Sequence, residues 1–231
     1  MVFTEVWWSR APDVAPAMTI EMHQQLPFIK GTAQSFLVPQ GIKKASGVAA
    51  NLLWDSAAYV IGLGLHDALA HAAPGLAPER YPELGARYRH HYLAHQHDLA
   101  LFPGTLAMLQ SLRLRQHSLA VATGKSRRGL DEALSTAQLG ALFDATRTAD
   151  ETASKPDPRM LLELMQELGV PPDRTLMIGD TTHDLQLAAN AGVPCIGVSY
   201  GAHDPVAFVA FAPLFVAHST AELHDWLLQH G

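Results

Sequence analysis

The chain has little of what marks disulfide-stapled, membrane-spanning or nucleic-acid-binding proteins. Its 231 residues include one cysteine, Cys195, which excludes an internal disulfide and fits a reducing compartment. No run of eighteen apolar residues occurs, so no membrane span is predicted. Sixteen Lys and Arg stand against 22 Asp and Glu without a block of like charge, which disfavours a nucleic-acid partner. The first residues lack the pattern of a secretory signal, so we expect a cytoplasmic protein.

Hydrophobic residues make up 48% of the chain, enough to bury a full core. From Leu101 onward, short apolar runs alternate with segments of helical period, which predicts an α/β fold with a parallel sheet. The predicted strands are Ser118–Thr123, Leu176–Gly179 and Cys195–Val198, and the predicted helices are Arg127–Leu139, Pro158–Leu168, Asp184–Ala191 and a last one containing Leu223, Trp226 and Leu227.

Three segments differ in pattern. Residues 1–56 are irregular apart from a β-prone start, Val2–Trp8, which would supply the first core strand. Residues 57–100 show helical spacing at Leu65–His71 and Pro82–His97 without a strand between them, which predicts a small helical cap. Residues 101–231 form the predicted core domain.

The strongest chemical signal is the loop Gly179-Asp180-Thr181-Thr182-His183-Asp184, between an apolar strand and a helix. Open parallel sheets bind ligands at the carboxyl ends of their strands, so Asp180 and Asp184 would point into that crevice. Carboxylate oxygens suit Mg²⁺. A plain turn with Asp184 as a helix cap explains the same residues equally well.

Two further signals flank that loop. In Ser154-Lys155-Pro156, ahead of a helix, Lys155 could neutralise a carboxylate and a phosphoryl group, although a lysine taken alone is more commonly solvated. In Thr123-Gly124-Lys125-Ser126, a hydroxyl and backbone N–H groups at a helix start form a phosphate cradle. A nucleotide-binding P-loop would need glycine at position 119, where Leu119 stands.

The order of these signals resembles the haloacid dehalogenase superfamily, whose second, third and fourth motifs follow the same sequence. Residues 101–201 are similar to its phosphoglycolate phosphatase branch in FPGT, VATGKS, SKPDP, LMIGDTTHDLQLAANAG and GVSYG. The resemblance covers the predicted cap and core. It implies a Rossmannoid parallel sheet flanked by helices, with a small helical cap.

The resemblance also implies a function, the hydrolysis of a small phosphorylated metabolite with Mg²⁺, with 2-phosphoglycolate the leading candidate. Thr123 and the amide of Gly124 would bind the substrate phosphate, and Lys155 would hold the nucleophile and phosphoryl oxygens. Asp180 would bind Mg²⁺, and Asp184 would assist at the metal or orient Lys155. Members of the family form an aspartyl-phosphate, and a second aspartate two residues on acts as general acid and base.

The family's Asp-x-Asp-x-Thr motif is missing. Only Asp13 and Asp55 occur in the first 56 residues, and neither has a second Asp two residues on. If Val2–Trp8 is the first strand, Ser9 and Arg10 stand where the acids belong. The alternatives are a catalytically inactive homologue that binds a phosphorylated ligand or a partner protein, or an N-terminal segment altered by a misassigned start or a shifted reading frame.

Two weaker patterns lie in the predicted cap. Among its histidines, His90, His91, His95 and His97, two share a helix face at zinc spacing, but no glutamate follows His91, which favours a polar helix face over a metal site. Gly62-Leu63-Gly64 begins like a dinucleotide fingerprint that Asp67 interrupts. In the family interpretation it is the cap turn that closes over substrate.

Overall fold

A computed structural model of the protein describes residues 1–3, 8–10, 59–72, 77–86, 88 and 99–231. The chain divides into two units. The core unit comprises Met1–Trp8, Gly62–Gly64 and Leu101–Gly231, and the second unit comprises Ser9–Ile61 and Leu65–Ala100. The predicted boundaries after residues 56 and 100 stay predictions, because residues 11–58 and 89–98 lie outside the described part.

Six parallel strands form the sheet of the core unit, in the order β5-β4-β1-β6-β7-β8. The predicted parallel α/β architecture is therefore confirmed. A separate two-stranded sheet pairs β2 with β3. The strand bounds are β1 Val2–Phe3, β2 Trp8–Arg10, β3 Leu99–Leu101, β4 Ala120–Thr123, β5 Ala145–Thr148, β6 Met177–Gly179, β7 Cys195–Val198 and β8 Phe215–Ala217.

The strands that the sequence predicts are those buried on both faces. Every residue of β4, β6 and β7 is buried, as expected for parallel strands covered by helices on both sides. Side chains alternate between the faces, so that Met177 belongs to one core cluster and Ile178 to the other. Of the predicted strand Val2–Trp8, the described part lies in two sheets, with β1 in the large sheet and Trp8 in β2.

Helices cover both faces of the sheet. Two core clusters pack against these helices. Buried side chains of the helices Arg159–Leu168 (α4) and Thr182–Ala191 (α5) belong to one, and those of Thr105–Leu114 (α2) and Thr220–His230 (α6) belong to the other. Burying such apolar side chains is the main source of stability in this layered arrangement. The helix bounds are α1 Leu65–Ala72, α2 Thr105–Leu114, α3 Arg127–Thr136, α4 Arg159–Leu168, α5 Thr182–Ala191 and α6 Thr220–His230.

The helix ends follow from local sequence. Gly169 and Gly192 follow α4 and α5 in the left-handed conformation, with φ of 65° and 68°, so both helices end at the predicted residues, Leu168 and Ala191. Helix α3 is shorter than predicted, because Gln138 has a φ of 56° and turns the chain so that Leu139 enters the core. Helix α5 begins two residues earlier than predicted, because Thr181 is its N-cap.

The described part of the second unit contains helices as well as residues of strands β2 and β3. Helix α1 agrees with the predicted Leu65–His71, and His66 on it meets the ring of Tyr81 edge to face at 5.2 Å. Of the predicted helix Pro82–His97, residues 82–86 and 88 are described, and they are helical. The four histidines of that predicted helix, His90, His91, His95 and His97, lie outside the described residues. No helix in the described part of the chain has the length and apolarity to cross a bilayer.

Candidate functional site

The loop after β6 is fixed by a reciprocal cap on α5. Thr181 Oγ1 accepts a hydrogen bond from the Asp184 amide at 3.3 Å, and Asp184 Oδ2 accepts from the Thr181 amide at 3.0 Å and from its hydroxyl at 2.7 Å. Asp184 is fully buried. The interpretation of Asp184 as a helix-capping residue therefore holds, with Thr181 at the N-cap and Asp184 three residues on.

Asp184 also forms an ion pair with Lys155. Its Oδ1 lies 2.7 Å from Lys155 Nζ, and each side chain is 1% exposed. No described residue gives Oδ1 a well-aligned hydrogen bond, so the ammonium of Lys155 is what offsets the charge on this oxygen. A solvated surface position for Lys155 is therefore wrong. A buried ion pair of this kind is costly to desolvate, and removing one partner leaves an uncompensated charge.

Residues Thr123–Lys125 form a tight loop at the carboxyl end of β4. Thr123 is fully buried, and its Oγ1 accepts a hydrogen bond from the Lys125 amide at 3.1 Å. A Cβ built on Gly124 would overlap the carbonyl oxygen of Leu63 and lie 2.6 Å from that of Gly62. Only glycine therefore fits at position 124.

The segment Gly62–Gly64 connects the three loops within the core unit. The carbonyl oxygens of Gly62 and Leu63 lie against Gly124. The Gly64 amide donates to Ser154 Oγ at 2.8 Å, next to Lys155. A Cβ on Gly62 would lie 3.0 Å from Thr181 Oγ1, next to Asp180. One short segment thus touches the loops that carry Thr123, Lys155 and Asp180, so these loops lie close together at the carboxyl edge of the sheet.

Asp180 follows the last residue of β6 directly. Its Oδ2 accepts a hydrogen bond from the Ala202 amide at 2.8 Å, so the chain after β7 fixes the orientation of the carboxylate. Within the described part of the chain, no group of three or more His, Cys, Asp or Glu side chains could hold a metal ion. Mg²⁺ commonly takes one or two carboxylates together with waters and substrate phosphate oxygens. The donor set at Asp180 fits that kind of ion.

Other predicted residues lie elsewhere or outside the described part. Ser9 and Arg10 belong to β2 of the two-stranded sheet and do not follow β1 in the large sheet. Asp13 and Asp55, the acids weighed as nucleophiles, lie outside the described residues. The missing Asp-x-Asp motif therefore stays an inference from the sequence.

Cys195 is a structural thiol. It lies in β7 with 5% of its surface exposed. Burial raises the pKa of its thiol to about 11, which suppresses the reactive thiolate.

An ion pair connects the start of α3, which follows the Thr123–Ser126 loop, to the segment between β5 and Lys155. Arg127, at the start of α3, donates from Nε and Nη2 to both carboxylate oxygens of Glu151, at 2.8 and 2.5 Å. This hydrogen bonding holds the pKa of Glu151 down at about 2, and the Thr148 hydroxyl contributes. The sequence does not indicate this pair, the bond from the Gly64 amide to Ser154 or the bond from the Thr182 amide to His203, because local sequence carries no signal of contacts with distant loops.

Comparisons with known proteins agree with this geometry. Residues 49–198 match the family model described as haloacid dehalogenase-like hydrolase. The phosphoglycolate phosphatase of Rhodospirillum rubrum is 34% identical over 205 residues, which cover 86% of this chain and 81% of that protein. The protein named "Probable phosphatase IndB" in Dickeya dadantii is 38% identical over 124 residues, and there the chain spans only 54% of the relative's length.

The fold has counterparts among solved structures. A hydrolase of the haloacid dehalogenase-like family from Streptococcus pneumoniae superposes with a TM-score of 0.70 at 18% identity, covering 98% of this chain and 96% of that one. Because the family model spans more than half of the sequence, and the Rhodospirillum relative aligns along most of both proteins, the chain belongs to the haloacid dehalogenase-like hydrolases.

Proposed function

We propose that the protein hydrolyses a small phosphate monoester, with 2-phosphoglycolate the leading candidate, at the site formed by Thr123, Lys155 and Asp180. The observation that carries the proposal is the buried Lys155–Asp184 ion pair at 2.7 Å, next to the loop of Asp180, whose carboxylate accepts a hydrogen bond from the Ala202 amide. A protein gains little stability from such a pair, so a functional role accounts for it better. The phosphatase names of the relatives support the same reaction class.

Each residue would act on a different part of the substrate. The Thr123 hydroxyl and the Gly124 amide would donate hydrogen bonds to the phosphoryl oxygens. The Lys155 ammonium, oriented by Asp184, would offset the negative charge that repels an attacking carboxylate. The site is largely buried, and charges act more strongly where water is excluded.

Mg²⁺ is the proposed cofactor, with Asp180 as the carboxylate that would hold it. When bound, the ion would neutralise part of the phosphoryl charge. The family resemblance also gives Asp184 as a second metal ligand, but its Oδ1 already pairs with Lys155 and its Oδ2 caps α5, so its contacts support the role of orienting Lys155 instead. The cytoplasm remains the proposed compartment, on the strength of the single buried thiol.

The missing Asp-x-Asp favours a second candidate function. A homologue without its nucleophile would still bind a phosphorylated ligand through Thr123, Gly124 and Lys155, and it would release phosphate slowly or not at all. The two functions share one site and differ in turnover.

Phosphate release from 2-phosphoglycolate and from p-nitrophenyl phosphate, measured on the full chain with and without Mg²⁺, separates the two. Mg²⁺-dependent turnover identifies the enzyme and overturns the inference that a nucleophile is missing. Thermal stabilisation by 2-phosphoglycolate without turnover identifies the binder. If neither turnover nor stabilisation occurs, the proposed function is wrong.

A matched pair of variants tests the role of the hydroxyl. Thr123→Val removes the phosphate donor at the carboxyl end of β4 and is expected to weaken binding about tenfold, the cost of a lost hydrogen bond to a charged group. Thr175→Val removes another buried threonine hydroxyl, which donates to Pro171 O at 2.9 Å, just before the amino end of β6. Its binding is expected to match that of the unmodified chain.

A further inference from the structure

The segment Gly201–His203, which follows β7, contacts both the main chain and the side chain of Asp180. The Ala202 amide donates to Asp180 Oδ2 at 2.8 Å, and the His203 amide donates to the Asp180 carbonyl at 3.1 Å. A Cβ on Gly201 would overlap the side chain of Asp180, so this backbone lies directly against it. The position of Asp180 therefore depends on where residues 201–203 lie.

The ring of His203 turns back onto the start of α5. Its Nδ1 lies 3.0 Å from the Thr182 amide nitrogen, which donates to it, and 3.0 Å from Thr182 Oγ1. His203 is 8% exposed and meets the ring of His183, 5% exposed, edge to face at 5.1 Å. The imidazole is thus buried and packed as well as hydrogen-bonded.

The contact with Thr182 defines the tautomer of His203. A backbone N–H can only donate, so Nδ1 must carry a lone pair, and the ring hydrogen lies on Nε2. Helix N-terminal amides otherwise seek water, an anion or a capping side chain. Here a side chain from a distant loop satisfies the first amide of α5.

We propose that His203 is a positioning residue for the cation site. Its backbone is tied to Asp180 and its ring to Thr182, the first residue of α5, so it fixes how Asp180 is presented at the end of β6. Residues that orient a metal ligand are commonly as important for metal affinity as the ligand itself. This role rests on the proposed function, since it requires that Asp180 hold Mg²⁺.

Two substitutions of similar size separate a positioning role from simple packing. His203→Asn keeps an acceptor at the same distance from the backbone as Nδ1, and His203→Leu fills the space without an acceptor. The full chain is titrated with MgCl₂ and followed by thermal unfolding, and exchange of the Thr182 amide hydrogen is measured in parallel. We expect the leucine variant to need at least about tenfold more Mg²⁺ for the same stabilisation, and the asparagine variant to stay within about threefold of the unmodified chain.

Inorganic phosphate added without metal serves as the internal control, and its stabilising effect is expected to be equal in all three proteins. If the leucine variant binds Mg²⁺ as the unmodified chain does, the positioning role is wrong even when the Thr182 amide exchanges faster. If the unmodified chain gains no stability from Mg²⁺, the proposed cation site itself fails, and the role of His203 fails with it. Should the leucine variant not fold, His203→Gln, which moves the acceptor one bond further out, takes its place with the same expectation.

Discussion

Replacing Lys155 with methionine should destabilise the protein far more than removing a surface cation. The substitution keeps an unbranched side chain one atom shorter than lysine, and it leaves the buried Asp184 carboxylate without its partner at 2.7 Å. Breaking a buried pair in this way costs about 3–5 kcal/mol. The lower end applies here, because Asp184 Oδ2 keeps its two hydrogen bonds from Thr181. For a chain of this size, about 3 kcal/mol lowers the midpoint of thermal unfolding by about 6–12 °C.

Calorimetry or circular dichroism on three variants tests that estimate. Arg128→Met is the surface control, because Arg128 pairs with Glu132 at 2.9 Å with 85% of its side chain exposed, and its midpoint should stay unchanged. The double variant Lys155→Met with Asp184→Asn removes both charges and should regain at least half of the loss. A Lys155→Met protein as stable as the unmodified chain would refute the buried pair.

Three further predictions concern the surrounding loops. Gly124→Ala should weaken stabilisation by inorganic phosphate at least about tenfold, because its Cβ overlaps the Leu63 carbonyl, and unchanged binding would contradict the tight loop. The pKa of Glu151 is lowered to about 2, so its contribution to stability is present above its ordinary pKa and should fade as the pH falls from about 5 toward 2. Unfolding midpoints across that range should converge with those of Glu151→Gln, and a constant difference would contradict the Arg127 pairing. Cys195 should react with a thiol reagent at about pH 8 only when the protein unfolds, and rapid labelling of the native chain would show an accessible thiol.

Much of the fold could be predicted, since burial on both faces leaves a clear pattern. Strands β4, β6 and β7 are continuous apolar runs, and Gly169 and Gly192 mark helix ends. The edge strand β5 was missed because three of its four residues, Thr146, Arg147 and Thr148, are polar, so it has no apolar run. The central place of β1 was not readable either, because two residues carry no signal of their distant partners.

The site was predictable only in part. Motif order identified Thr123, Lys155 and Asp180, and the structure brings their loops to one sheet edge. The resemblance gave the orienting of Lys155 as one of two roles for Asp184, and the two side chains pair at 2.7 Å. The motifs did not reveal that His203 reaches Thr182, since that contact joins loops far apart in the chain. Such contacts depend on the sheet topology, which short motifs do not encode.

The most direct test of the central idea is whether phosphate and Mg²⁺ bind at one site. Calorimetric titration of inorganic phosphate into the full chain, with and without saturating Mg²⁺, measures their coupling. Convergence of Thr123, Lys155 and Asp180 predicts that Mg²⁺ tightens phosphate binding at least about tenfold, and that phosphate tightens Mg²⁺ binding by the same factor. Equal phosphate affinity in both conditions would contradict a shared site at the carboxyl edge of the sheet.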